Sequence, residues 1–196
     1  YGETIIDPKK LPPYVEDLGG GITHEASLNG AEEWRLNGKL HRGGDQPAYI
    51  EADGTLSWYQ HGELHRDDDK PMVVKADGTQ EWRKDGMYHR DGDKPAVIYA
   101  NGDQEWYQNG LHHRDWDKPA IVQVNGTKVW CCRGHIHRDW DKPAIVRANG
   151  DQEWWQHGRR HRDGDKPAEI RANGYRAWWR KGESYRAEPG PKAVRK

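Results

Sequence analysis

Residues 95–118 have the sequence PAVIYANGDQEWYQNGLHHRDWDK, one copy of a 24-residue repeat that fills most of the chain. One Trp recurs at a constant step of 24 residues, and the Gly four positions after it keeps the same step. The repeated Trp residues are Trp34, Trp58, Trp82, Trp106, Trp130, Trp154 and Trp178. Such a period predicts a repeat architecture, in which each unit buries its apolar face only by stacking on its neighbours.

The first half of the unit predicts a β-hairpin. Small or apolar side chains alternate after Pro95, which predicts a strand. Asn101-Gly102 follows, and this pair favours a two-residue turn with positive φ at both positions. A second strand is predicted at 104–108, ending at a bulge or wider turn in which only Gly110 needs positive φ.

The fold class predicted is therefore all-β, an elongated, solenoid-like single sheet of about seven antiparallel hairpin repeats, with no helix. Residues 1–21 match no repeat and form an N-terminal segment or cap. The repeat array spans residues 22–186, with a decayed last loop from Tyr185, and residues 187–196 form a C-terminal tail. Atypical ends of this kind are expected of a repeat array.

Composition narrows the function classes. The chain is 33% hydrophobic and 32% charged, yet it has 11 Trp and nine Tyr, and aromatic residues are scarce in disordered chains. Because 31 Lys and Arg are balanced by 32 Asp and Glu, a basic nucleic-acid-binding face is not predicted. No stretch predicts a transmembrane segment or a secretory signal. Neighbouring Cys131 and Cys132 suggest free thiols, so the expected location is the cytoplasm or a virion or other large assembly.

The unit resembles a MORN repeat. Residues 153–161, EWWQHGRRH, match the aromatic strand, turn Gly and basic-His run of that family, and residues 170–174, IRANG, match its second strand. Trp154 and Arg162 stand where the family usually has Gly. This H-R-D-x-D-K-P-A version is similar to repeats in large DNA virus and bacteriophage proteins. The resemblance implies extended hairpin sheets that act as assembly scaffolds.

The charged loop of the unit predicts a structural ladder. His-Arg-Asp occurs five times at fixed period, without the other motifs of a kinase site. Paired Asp residues such as Asp91 and Asp93 have Lys and Pro after them, which favours salt bridges over a Ca²⁺ loop. We expect loop arginines to face Asp in the same or an adjacent unit, and we expect no catalytic residue, cofactor or metal. The arginines are Arg90, Arg114, Arg138 and Arg162.

Aromatic side chains give the candidate binding surfaces. The repeated Trp is expected to hold the units together, although a ladder of Trp and Tyr can also stack sugars or cage choline. Only two adjacent loops contain Trp, at Trp116 and Trp140, where other units have Gly or Asp. These two form a candidate patch for a protein partner, self or other, with each indole lying flat on the following Pro as the alternative. The other candidates are Tyr59, Tyr107, Trp155 and Trp179. The function predicted is a non-catalytic scaffold or adaptor, the alternative being a carbohydrate- or choline-binding module.

Overall fold

A computed structural model describes residues 12–191. The chain divides into two compact units, with bounds Tyr1–Gly86 and Met87–Lys196. The first contains β1 (Tyr14–Gly19), β2 (Ile22–Ala26), β3 (Glu32–Leu36), β4 (Lys39–Leu40), β5 (Tyr49–Ile50), β6 (Leu56–Ser57), β7 (Tyr59–Gln60), β8 (Glu63–Leu64), β9 (Val73–Val74), β10 (Gln80–Glu81) and β11 (Arg83–Lys84). The second contains β12 (Met87–Tyr88), β13 (Val97–Ile98), β14 (Gln104–Glu105), β15 (Tyr107–Gln108), β16 (Leu111–His112), β17 (Ile121–Val122), β18 (Lys128–Val129), β19 (Cys131–Cys132), β20 (His135–Ile136), β21 (Ile145–Val146), β22 (Gln152–Glu153), β23 (Trp155–Gln156), β24 (Arg159–Arg160), β25 (Glu169–Ile170), β26 (Arg176–Arg180) and β27 (Glu183–Glu188). No helix occurs among the described residues.

Successive hairpins pair in sequence order, which confirms the predicted all-β class. In the first unit the antiparallel order is β1-β2-β3-β5-β6-β9-β10. In the second it is β13-β14-β17-β18-β21-β22-β25-β26-β27. Each 24-residue repeat thus contributes two strands to a sheet that grows by one hairpin at a time.

The strand predicted at 104–108 is interrupted at Trp106. The backbone N–H of Trp106 donates to Ala120 O (2.8 Å), and its carbonyl accepts from His113 N–H (3.1 Å). Beyond this break the chain leaves the main sheet, and β15 pairs with β16 as a separate two-stranded ribbon. A repeat therefore contains a main hairpin and a minor hairpin rather than one hairpin.

The two turns have the reverse of the predicted geometries. In the main hairpin only Gly102 has positive φ (90°), while Asn101 accepts a hydrogen bond from Asp103 N–H (2.9 Å) through its side chain. Tyr99 N–H donates to Asp103 O and Gly102 N–H to Tyr99 O, which defines a three-residue loop ending in a Gly bulge. In the minor hairpin both Asn109 (49°) and Gly110 (77°) are left-handed, as a two-residue type I′ turn requires.

The core is a row of small and large side chains: a buried Ala that recurs in five repeats, with Met72 at that position in another, and the repeated Trp. Ala96 is fully buried and Val97 is buried too, so both sides of the first strand are covered, in contrast to the alternation expected of a half-exposed strand. Trp106 and the other repeated Trp residues are buried, as predicted. These Ala and Trp residues make up most of the buried apolar side chains of the described chain.

The ends of the chain deviate from the repeat. The segment expected to cap the array ends in strand β1, which pairs with β2, and residues 1–11 lie outside the described part. The segment from Tyr185, expected to be a decayed loop, is instead the second half of β27, paired with β26. Of the predicted tail 187–196, residues 192–196 are likewise not described.

Candidate functional site

The charged loop of each repeat joins it to the repeat before. Arg114 donates from Nε to Asp93 Oδ1 (2.6 Å) and from a terminal nitrogen to Asp93 Oδ2 (3.3 Å), and its other terminal nitrogen donates to Pro119 O (3.3 Å). The guanidinium also lies 3.7 Å from the ring centroid of Trp106. A planar, always charged group can make the bidentate bond and the ring contact at once, which Lys cannot.

Asp93 lies at the centre of this contact between repeats, which we call the Arg–Asp joint. Its carboxylate also accepts from Lys118 Nζ (2.6 Å), and its carbonyl accepts from the indole N–H of Trp106 (3.2 Å). Asp93 itself has positive φ, 53°, which aims both acceptors at the following repeat. The hydrogen bonds from Arg114 and then Lys118 lower the pKa of Asp93 to about 2.

The same joint recurs along the chain, at Arg114, Arg138 and Arg162 of the predicted Arg ladder and also at Arg66. The described pairs are Arg66–Asp45, Arg114–Asp93, Arg138–Asp117 and Arg162–Asp141. Arg90 donates to the carbonyl of Pro95, in the equivalent position to Arg114 on Pro119. The contacts lie between adjacent repeats, as the sequence analysis expected.

A repeated His adds a second connection between neighbours. His113 Nε2 lies 2.9 Å from Asp115, and its Nδ1 accepts from the backbone N–H of Arg133 (3.2 Å) in the next minor turn. An Nδ1 that accepts a hydrogen bond leaves the ring hydrogen on Nε2, where it is donated to Asp115. His89, His137 and His161 make the same pair of contacts.

The ladder of repeated Trp residues does not offer free ring faces. Trp106 is 7% exposed, and the arginine of its own repeat covers its ring. A second aromatic row consists of the aromatic residues that directly follow the repeated Trp, namely Tyr59, Tyr107, Trp155 and Trp179. Within it, Tyr107 packs against Tyr88 (5.1 Å between ring centroids) and His112 (4.1 Å). These contacts argue against the repeated Trp as a platform for sugars or choline.

Trp155 and Trp179, which also belong to the second aromatic row, lie next to a cation of the chain itself, Arg160. The Arg160 guanidinium lies 5.2 Å from the ring centroid of Trp155 and 4.6 Å from that of Trp179. Tyr59, the remaining candidate in this row, is half-buried. Of the predicted binding residues, these four therefore take part in packing more than in presenting a surface.

Buried carboxylates were missed by the sequence analysis. Glu153 is 4% exposed and accepts from Arg147 (2.6 Å) and Arg160 (2.6 Å). Burial alone raises its pKa, but the hydrogen bonds from Arg147 and Arg160 together outweigh burial and leave the pKa lowered. Glu81 has a similar pair of partners, Lys75 and Arg83. The sequence feature that could have revealed these buried carboxylates is the Glu that directly precedes the repeated Trp in several repeats.

Trp116 and Trp140 differ from every other aromatic residue described. Their exposed fractions are 85% and 74%, so neither indole is flattened against the following proline. Both have left-handed backbone, with φ of 64° and 59°, which is uncommon for a bulky side chain. Other repeats place Gly at this position, where the same backbone carries no strain.

The two indoles line one groove, which lies between the loops 113–118 and 137–142. We call this the Trp groove. Its volume is about 550 Å³, within the range of about 300–1,000 Å³ typical of ligand pockets. The equivalent grooves have volumes of about 220 Å³ (41–70), 360 Å³ (89–116) and 360 Å³ (138–166).

Cys131 and Cys132 lie on the wall of the Trp groove, where three other repeats have an aromatic residue followed by Gln. Both are free, and burial raises the pKa of Cys131 to about 11, so its thiol is protonated at neutral pH. Such a thiol acts as a small apolar side chain rather than a nucleophile.

Comparison with known proteins gives no family for this chain. Neither the protein-family models nor the curated proteins include a match. Within residues 12–191, no cluster of three or more His, Cys, Asp or Glu side chains is arranged to hold a metal ion. In the same part of the chain no helix has the length and apolarity needed to cross a membrane.

Proposed function

We propose that the chain is a non-catalytic repeat scaffold that binds a protein partner through the Trp groove. The observation that carries this proposal is the pair of exposed indoles, held in left-handed backbone on one groove. Strained, exposed aromatic residues cost stability and contribute no packing, so they indicate a role outside the fold. Trp is also the residue most enriched at the energetic centres of protein interfaces.

Two further features support a scaffold. The joints between repeats use side chains on every loop, which leaves one variable position per loop available for recognition. The resemblance to MORN repeats agrees with this proposal, because arrays of that family serve as assembly scaffolds. We propose a virion or another large cytoplasmic assembly as the setting.

The test is a double variant, Trp116→Gly with Trp140→Gly, in the full chain. Other repeats already have Gly at this position, so the variant should fold normally, as checked by circular dichroism and melting temperature. Asp68→Gly is the control, since it introduces Gly at the equivalent position of a loop outside the Trp groove.

We expect the parent chain and Asp68→Gly to retain the same partner in quantitative co-purification with mass spectrometry, and the double variant to lose it. Sedimentation equilibrium on the same three proteins tests whether that partner is a second copy. Equal capture of the partner by all three proteins would show that the Trp groove is not the binding surface.

A further inference from the structure

The Trp groove has an acidic residue with an unused acceptor. In three other repeats a Gln from the minor hairpin donates to the loop Asp two positions after the repeated His, as Gln108 does to Asp115 (3.1 Å). Cys132 replaces this Gln in the Trp groove and is too short to reach Asp139. Among the described residues, the only side chain bonded to Asp139 is His137, on Oδ1 (3.1 Å). Oδ2 therefore keeps its acceptor capacity, in a residue that lines the Trp groove.

Among the described residues no Lys or Arg is bonded to Asp139, a carboxylate that lines the Trp groove. His137 Nδ1 accepts from His157 N–H (3.3 Å), which places the ring hydrogen on Nε2, the nitrogen that faces Asp139. The cations nearby are engaged elsewhere: Arg138 and Lys142 both bind Asp117. Arg114 and Lys118 bind Asp93 in the same way. An anionic ligand would have to displace these pairs, whereas a cationic one meets a free carboxylate.

The chain itself shows what its indoles attract. A guanidinium lies 3.6–4.1 Å from the ring centroid of several repeated Trp residues, such as Trp130 under Arg138 (3.7 Å). Lys142 lies 5.4 Å from the ring of Trp140, with its charge shared with Asp117. Among the described residues no cation lies over Trp116, the most exposed aromatic ring. Its electron-rich face is open to a cation from outside.

From these observations we propose that the Trp groove receives a Lys or Arg side chain from the partner protein. Its alkyl stem contacts the indoles of Trp116 and Trp140, and its charged head binds Asp139. This inference rests on the proposed function and specifies the chemistry of the partner. A purely apolar segment fits less well, because it would desolvate Asp139 without replacing its hydrogen bonds to water.

The test uses four capped peptides, Gly-Gly-X-Gly-Gly with X as Arg, Lys, norleucine or Glu, titrated into the full chain labelled with ¹⁵N. The indole N–H signals of Trp116 and Trp140, assigned from the single Gly variants, report binding at the Trp groove. We expect the Arg and Lys peptides to shift both signals, the norleucine peptide to bind at least tenfold more weakly, and the Glu peptide to leave them unchanged.

Asp139→Asn should weaken the Arg peptide about tenfold, since a charged hydrogen bond becomes a neutral one. Asp163→Asn is the matched control, because Asp163 occupies the same loop position and its second oxygen is bonded to Gln156 (3.3 Å). Equal binding of norleucine and Arg peptides, or no effect of Asp139→Asn, would overturn the inference.

The two proposals fail separately. If the double Trp variant still captures the partner, the proposed function is wrong. If that variant loses the partner while no cationic peptide shifts either indole signal of the parent chain, the surface is right and the cationic side chain is wrong.

Discussion

At the scale of single residues, the second Asp of each loop makes the most contacts between repeats. Asp117 binds Arg138 and Lys142 through its carboxylate and accepts the indole N–H of Trp130 (2.9 Å) through its carbonyl. Its left-handed φ of 54° brings both groups to the next repeat. One residue therefore binds two cations through its side chain and one indole through its carbonyl.

Acid should unfold the chain through these Asp residues. The hydrogen bond from Arg138, opposed by burial and helped by Lys142, lowers the pKa of Asp117 to about 2 from its ordinary value of 3.8. A lowered folded-state pKa means that the stabilisation is complete above the ordinary pKa and is lost as pH falls through the folded value. We expect the melting temperature to be nearly constant from pH 7 to about 5 and to fall steeply between about pH 4 and 2.

Asp117→Asn should lower the melting temperature at pH 7 and make the decline below pH 4 shallower. Asp139→Asn, at the first Asp of the next loop and without a Lys or Arg bound to it, should leave both nearly unchanged. Identical pH profiles for the two variants would show that the joint contributes nothing to acid stability.

Left-handed strain at Trp116 predicts an unusual order of substitutions. Trp116→Gly should change the free energy of unfolding by less than about 1 kcal/mol, because relief of strain offsets the extra entropy of Gly in the unfolded chain. Trp116→Val should destabilise by a further ~1–2 kcal/mol, since β-branched residues are poorly tolerated at positive φ. Urea denaturation measures both; a Val variant as stable as the Gly variant would contradict the assigned backbone.

At the scale of elements, loop length decides the turn geometry. The Asn-Gly pair at 101–102 closes a three-residue loop, where Asn serves as a side-chain acceptor, while a two-residue loop at 109–110 needs left-handed geometry at both positions. The minor turns tolerate residues such as Arg133 in left-handed backbone because the N–H groups of the turn donate hydrogen bonds to the preceding repeat. Arg133 N–H donates to His113 and Gly134 N–H to His112 O (2.9 Å).

Substitution of Asn by Gly should separate the two turn types. Asn101→Gly should destabilise the chain by about 1 kcal/mol, because it removes the side-chain acceptor of Asp103 N–H. Asn109→Gly should change the free energy of unfolding by only a few tenths of a kcal/mol, since Gly adopts the left-handed backbone at that position without strain. Urea denaturation measures both variants, and equal destabilisation by the two would contradict the assigned geometries.

Sequence alone was sufficient for the repeat, the strand order and the Arg–Asp pairing, because Trp106, Gly110 and Arg114 recur at one period. It was insufficient for the break at Trp106. Alternation of side chains does not show that residues 104–105 pair in the main sheet while residues 107–108 pair in the minor hairpin. It also missed the buried Glu153, whose arginine partners come from different segments. The exposure of Trp116 was predictable from Gly and Asp at equivalent positions, but the width of its groove depends on Cys132.

At the scale of the whole molecule, the same contacts recur between neighbouring repeats within each of the two units. The sheet pairing, the Arg–Asp joint and the His bridge each connect one repeat to the next. Stability in such a chain approximates a sum over repeats and interfaces, so one whole repeat can be removed if the phase is kept.

Two deletions of 24 residues test this and locate the function. Removing 119–142 deletes Trp140 and with it the Trp groove, whereas removing 143–166 leaves both loops that form it. In the first product Asp117 meets Arg162 and Lys166, whereas in the second Asp141 meets Arg186 with Gly190 in place of the Lys. Both chains should therefore fold, the second with a somewhat lower melting temperature. Only the second should retain the partner. A cooperative loss of all structure in either would contradict the nearest-neighbour description.

The left-handed position before the second loop Asp has a consequence for how such a chain can evolve. The hydrogen bonds of the joint come from the residues around it, such as Arg114, Asp117 and Lys118, and not from Trp116 itself. Mutation there changes the surface of a groove while the joint stays intact. Under the proposed function, binding specificity can therefore change by single substitutions, or shift along the chain by whole repeats, without loss of the fold.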